Sequence, residues 1–160
     1  MSGLRVAPGT AIGVVHLSGR GRVRDVGGER LTGADLGERL GERVTLVQFS
    51  TAFCQPCRAT RRILSDVSTL VPGVRHVEID AESRLDLVRR LQIMRTPTVL
   101  VLDVAGAVVK RASGLPRKAD VLVAVGDAVG DAVADAVADP VADPVTDAAT
   151  DAATGPLPPG

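Results

Sequence analysis

An α/β domain is predicted by the alternation of two kinds of segment across residues 44–126. β-branched, apolar runs recur at 44–49, 74–80 and 96–102, and stretches of helix formers with apolar residues three and four apart stand between them. Strand, helix, strand, helix is the βαβ order. The third run is followed by a glycine-containing turn and a partner strand, so the chain then doubles back on itself.

Composition limits what such a domain can be built from. The chain has 160 residues, 45% of them hydrophobic, with no Trp or Tyr and only Phe49 and Phe53 as aromatics, so one ordinary core must come from Val, Leu, Ile and Ala. Nineteen basic and nineteen acidic side chains balance, but unevenly: residues 44–126 hold twelve Lys or Arg against seven acids, while 127–160 hold seven Asp and no base. A mildly basic domain therefore carries an acidic tail.

Residues 1–30 read as an irregular N-terminal segment. Their apolar run, 11–17, is seven residues long and includes His16, too short for a membrane span and weak as a secretory core, and no targeting segment is evident. Gly19-Arg20-Gly21-Arg22-Val23-Arg24 lacks the interleaved aromatics of a nucleic-acid arm and reads as a solvated loop or a ragged edge strand. Thr32-Gly33-Ala34-Asp35 is a capping pattern ahead of Leu36 and Leu40, which predicts a short helix over 33–41.

The run 44–49 is apolar enough for a buried strand, and 58–67 continues as a helix with Ile63, Leu64, Val67 and Leu70 on its inner face until Pro72-Gly73 ends it. Residues 74–80 alternate apolar and polar, as a strand does. Residues 83–91 predict a helix with Leu85, Val88 and Leu91 inward. Pro97 sits at the first positions of the strand over 96–102, where a missing N–H is tolerated. A polar turn over 103–106, a partner strand from 108 to 111, Gly114 and a helix from about 117 that uses Val121, Leu122 and Val125 complete the domain.

The chain's only two cysteines, Cys54 and Cys57, stand two residues apart at the junction between the first of these strands and its helix. The first turn of a helix offers unpaired N–H groups and the positive end of the dipole, both of which favour a thiolate at Cys54. Pro56 costs no intrahelical hydrogen bond there, and its fixed φ constrains the loop between the sulfurs. Cys57 lies about one turn inside, shielded from solvent. A Cys-x-x-Cys pair alone is a weak signal; a Thr-Pro pair beyond it and this strand order make it a strong one.

Four features in order make residues 31–126 resemble thioredoxin: Phe53-Cys54-Gln55-Pro56-Cys57-Arg58 after a strand, the strand end from Val77 to Asp80, Met94-Arg95-Thr96-Pro97-Thr98 about forty residues beyond the cysteines, and Gly114 after the hairpin. The wording of the cysteine stretch is also similar to small thioredoxin-family proteins of GC-rich actinobacteria, many of which carry a membrane anchor. The resemblance implies a thioredoxin-like fold, a central mixed sheet flanked by helices. It implies that Cys54 attacks a substrate disulfide, that Cys57 resolves the mixed disulfide, and that the peptide bond before Pro97 is cis. It makes Phe53, Gln55, Pro56, Thr96 and Pro97 the substrate-binding residues, with the backbone of Thr96 pairing with the substrate's extended chain. The partners implied are disulfide-containing proteins and an electron-donating reductase, with no cofactor and no nucleic acid; the chain is expected to be a monomer.

The sequence departs from the family at informative places. Phe53 stands where thioredoxin has Trp, and Gln55-Pro56 replaces Gly-Pro. Gln48 stands where the family keeps a buried Asp that helps the second cysteine lose its proton, which an amide cannot do. His76 falls near the family's buried Lys, although a lone histidine beside a strand is more often structural. From Asp127 to Thr154 the chain repeats an Asp-initiated tetrad; the first tetrads extend the last helix, and from about Asp139, where Pro140 and Pro144 intervene, a disordered, solubilising acidic tail is expected.

Two other readings stand beside this one. Cys54, Cys57, His16 and His76 have the ligand count for zinc, but the histidines are sixty residues apart with no paired motif, so no metal site is expected. A thioredoxin-fold interaction module with decayed redox chemistry is kept alive by Gln48 and the missing tryptophan. With no structural cysteines beyond the pair, the expected location is cytoplasmic, unless an N-terminal anchor missing from this chain places it at a membrane or outside the cytoplasm.

Overall fold

The computed structural model describes residues 21–138. Nine elements follow in chain order: β1 (Val23–Asp25), α1 (Gly33–Leu36), β2 (Val44–Ser50), α2 (Gln55–Leu70), β3 (Val74–Asp80), α3 (Leu85–Arg90), β4 (Thr98–Leu102), β5 (Val108–Ser113) and α4 (Lys118–Ala138). The strands form one mixed sheet in the order β1-β5-β4-β2-β3. β2 and β3 are parallel, joined by the crossover helix α2, and the β2–β4, β4–β5 and β5–β1 pairs are antiparallel.

Every residue of β2 is buried, and the period-2 alternation of its side chains splits the core in two. Val47 and Phe49 face one layer with Val77, Ile79, Leu87, Leu91 and Leu100, closed by α1 and α3. Val44 and Leu46 face the other with Leu64, Val67, Val99, Val121 and Val125, under α2 and α4. The core is aliphatic apart from Phe49, as the composition requires. Gln48 lies between Leu46 and Ser50 on the α2 side, so the one fully buried amide of the strand points at the helix that carries the cysteines.

Several expectations need correction. The helix over 33–41 stops at Leu36, because Gly37 takes the left-handed conformation (φ 72°) and caps it; its start is as expected, with Thr32 and Asp35 forming a reciprocal capping box that holds the pKa of the Asp35 carboxyl down to about 2. α2 begins three residues earlier than 58 and runs to Leu70. Leu70 is 62% exposed rather than inward, since the helix ends there and Val71 takes the place against the core. Ser83 bonds the Asp80 carboxylate instead of starting α3, and Leu85 is exposed: two residues from Leu87, it lies about 200° around the helix from the buried stripe. Leu122 is likewise turned out, one position off the stripe of Val121, Val125 and Ala128. Val23–Asp25 forms an edge strand, one of the two forms expected there, with Val23 opposite Ala112.

Gly106 (φ 82°) closes the turn between β4 and β5, where a Cβ would come within 2.1 Å of the Leu31 carbonyl, so this turn is reserved for glycine. α4 runs unbroken from Lys118 across the change of composition at 127 to Ala138. The apolar run over 11–17 with His16, and the tail from Asp139 onward, lie outside the described residues.

Leu64 is fully buried at the centre of the face α2 turns to the sheet. Leu64→Ala is expected to lower unfolding free energy by about 2–5 kcal/mol, read from urea denaturation, without moving the site residues that lie on the first turn of the same helix.

Candidate functional site

β2 delivers the chain to the site. At Ser50 the strand ends, a three-residue turn follows, and Cys54 becomes the N-cap of α2. Its backbone N–H donates to the Thr51 carbonyl at 3.4 Å, and its sulfur accepts from the Cys57 N–H at 3.2 Å, the position an N-cap oxygen takes in other helices. Pro56 occupies the first turn, where no intrahelical donor is lost, and the Thr60 hydroxyl donates to the Pro56 carbonyl at 2.9 Å.

Cys54 and Cys57 are joined as a disulfide, with Cα atoms 5.2 Å apart. The two sulfurs have different surroundings: Cys57 is 1% exposed, whereas Cys54 is partly open to solvent. Gln55 and Pro56 are exposed between them, and Phe53 is 99% exposed beside Cys54.

The second loop comes from the start of β4. Pairing of β2 with β4 begins at Thr98, so Thr96 and Pro97 lie just beyond the ladder, and the peptide bond between them is cis. The Thr51 and Thr96 hydroxyls lie 3.3 Å apart and tie this loop to the turn before Cys54, while the Gly114 N–H donates to the Pro97 carbonyl at 2.7 Å. Pro97 is buried and Thr96 partly so. Two residues before Thr96, Met94 is 89% exposed, so each of the two loops presents a large uncovered apolar side chain.

Beneath the disulfide lies a polar network with no direct sign in the sequence. The Gln48 amide nitrogen donates to the Cys57 carbonyl at 2.9 Å and to the Ser50 hydroxyl at 2.8 Å. A carbonyl only accepts, so the amide orientation is settled and the Gln48 oxygen faces His76 Nε2 at 3.2 Å, making that nitrogen the donor. Burial holds His76 below the ordinary imidazole range; Glu78 and Glu38 oppose this, while Arg61 adds to it. Glu78 is gripped by Arg61 through two hydrogen bonds of 2.6 and 2.7 Å. Burial pushes its carboxyl up, but Arg61 and the Ser50 hydroxyl outweigh that and leave it below the usual range.

Ser50, Cys54, Cys57, Arg58, Glu78 and Asp80 are among the residues lining a cleft of about 370 Å³ at this place. A larger hollow of about 760 Å³ lies between β1 and α4, away from both cysteines, and its Lys110 is spent on Asp25 at 2.6 Å and Asp127 at 2.9 Å. Thiol chemistry belongs to the smaller cleft. Ser50, Arg58, Arg61, Glu78 and Met94 are not among the site residues read from the sequence. The alternation of His76, Glu78 and Asp80 along β3, which puts all three on the α2 side, is the signal that could have pointed to Glu78.

The decisive comparison is with the thioredoxin family model, which matches residues 31–127, more than half of the chain. The chain belongs to the thioredoxin family. Human thioredoxin domain-containing protein 2 is 31% identical over 84 residues, which is 52% of this chain and 15% of that protein, so the chain spans only a small part of that relative. Among solved structures, chloroplastic thioredoxin z superposes with a TM-score of 0.52 at 26% identity, covering 66% of this chain and 96% of that one. A mutant thioredoxin from Halobacterium salinarum NRC-1 shares the fold, with a TM-score of 0.51 at 16% identity over 55% of this chain and 76% of its own. The thioredoxin fold with a disulfide-bonded Cys-x-x-Cys pair at the head of α2 supports thiol–disulfide oxidoreductase chemistry.

The neutral His76 sets a pH dependence. Its folded value lies below the unfolded one of about 6.5, so as pH falls past that point the unfolded chain takes up a proton that the folded chain refuses, and stability declines. Urea midpoints measured from pH 7.5 down to pH 5 are expected to fall for the native sequence and to flatten over the same window in His76→Gln.

Proposed function

We propose that this thioredoxin-family chain is a reductase of protein disulfides. The observation that carries the reading is the asymmetry of the pair: Cys54 is reachable at the N-cap of α2, and Cys57 is buried one turn behind it, already within bonding reach. The Cys54 thiolate, favoured by the N–H groups and dipole of the sixteen-residue α2, attacks one sulfur of a substrate disulfide and displaces the other as a thiolate. Cys57 then attacks Cys54, the Cys54–substrate bond breaks, and the substrate leaves with both electrons. An electron-donating reductase returns the pair to the dithiol.

Phe53, Gln55, Pro56, Thr96 and Pro97 form the docking surface, with the Thr96 backbone, which lies beyond the β2–β4 ladder, free to pair with an extended substrate strand. A chain whose two cysteines are both in the active pair gains nothing from an oxidising compartment, which favours the cytoplasm, and a monomer suffices for this chemistry. No helix among the described residues is long and apolar enough to cross a membrane. The redox-silent interaction module rests on Gln48 and Phe53, and the same assay decides it.

In dithiothreitol-driven reduction of insulin, Cys54→Ser is expected to lose at least about 100-fold of the activity, and Cys57→Ser to trap a mixed disulfide visible by intact mass. Equilibration with glutathione buffers is expected to place the pair near thioredoxin's own value of about −270 mV; a value near −120 mV would mark an oxidant instead.

A further inference from the structure

Cys57 has to lose a proton before it can resolve a mixed disulfide, and it must do so while buried, where the charged form is disfavoured. The group its backbone touches, the Gln48 amide, has no proton-accepting capacity to offer at neutral pH. We propose that Glu78 receives the Cys57 proton, relayed by solvent in the cleft that the two residues share. The inference rests on the disulfide-reducing reading above.

Elimination selects Glu78 from the titratable residues around that cleft. Arg58 and Arg61 carry guanidinium groups, which offer donors and no acceptor. The Asp80 side chain is exposed and turned to the Ser83 hydroxyl and the Glu82 N–H. His76 lies across the Gln48 amide from Cys57, with its Nε2–H committed to Gln48 Oε1, and does not line the cleft. Glu78 does line it, stands opposite Gln48 in the β2–β3 register, and is partly buried. Its fork with Arg61 fixes the plane of the carboxylate and uses one lone pair on each oxygen, the Ser50 hydroxyl takes a third, and the remaining one is left to solvent in the cleft. The groups that face it are Arg61, Arg58 and Cys57 from α2, Gln48 and Ser50 from β2, which do not titrate, and His76 and Asp80 on its own strand. Arg61 and the Ser50 hydroxyl hold its carboxyl below the usual range, so it faces the cleft as a carboxylate and can hold the proton only in passing.

In this step the Cys57 S–H bond breaks and its proton passes through water to the Glu78 carboxylate. The electron pair left on Cys57 forms the bond to Cys54, the bond from Cys54 to the substrate sulfur breaks, and that sulfur departs as a thiolate. Glu78 then returns the proton to solvent. The two cysteines are oxidised by two electrons and the substrate is reduced by two. Glu78 acts through water, as a positioning and relay residue.

The test uses the fully reduced, full-length chain and one equivalent of the aromatic disulfide dithiobis(nitrobenzoate), followed by stopped flow. The first nitrothiobenzoate released reports attack by Cys54, and the second reports resolution by Cys57. Glu78→Gln is expected to leave the first release within about two-fold and to slow the second at least about ten-fold at pH 7, a modest share of what positioned bases contribute. The deficit should shrink as pH rises, and Glu78→Asp should recover part of the rate. An unchanged second release and pH profile in Glu78→Gln would overturn the proposal. If the native sequence gives a first release and no second, the reductase reading itself falls and takes this inference with it.

Discussion

The hydrogen bonds of one buried amide set the depth of the active pair. Gln48 is fully enclosed in the central strand, and an unpaired amide there would cost on the order of 1–3 kcal/mol, so its groups must all find partners. They do so in three directions: the Cys57 carbonyl on α2, the Ser50 hydroxyl at the end of β2 and the His76 ring on β3. These contacts anchor the first turn of α2 to the sheet, which is why Cys57 is closed off while Cys54, three residues earlier, remains at the rim. Both the depth of Cys57 and the direction from which it can be reached follow from that attachment.

The same attachment explains how the chain manages with an amide at this position. Gln48 supplies geometry through its hydrogen bonds, and the charge in this region comes from β3, where Glu78 is fixed by Arg61 of α2. Positioning and charge are thus divided between neighbouring strands whose residues 48 and 78 are register partners. With Arg61 largely exposed the ion pair itself contributes little stability, but it spans a crossover helix and the strand it leads into, and it shapes the wall of the cleft.

Most of the architecture was legible because the signals were local and strong. β3 falls where its alternation places it, and the cysteines stand at the strand-to-helix junction with Pro56 in the first turn of α2, whereas Thr96 and Pro97, expected within the strand over 96–102, lie just ahead of β4. The misses have a common origin. Leu70, Leu85 and Leu122 are apolar residues near helical spacing, and which of several leucines faces inward is decided by where the helix ends and by its rotation on the sheet, both tertiary quantities. Gly37 is a local signal against the helix over 33–41, since a left-handed cap is what a glycine after four helical residues offers. Alternation along β3 points to Glu78, but its union with Ser50 and Arg61 was out of reach, because the three come from three elements and meet only once α2 has crossed over the sheet.

The two phenylalanines end up in opposite settings: Phe49 fully enclosed in β2, and Phe53, four residues on, almost wholly bare at the lip of the disulfide. With no tryptophan or tyrosine in the chain, ordinary ultraviolet fluorescence has little to observe. Biosynthetic fluorination of phenylalanine would instead furnish two magnetically separate reporters in one molecule. One resonance would follow the integrity of the interior, and the other would follow events at the sulfur pair and the arrival of a docked polypeptide.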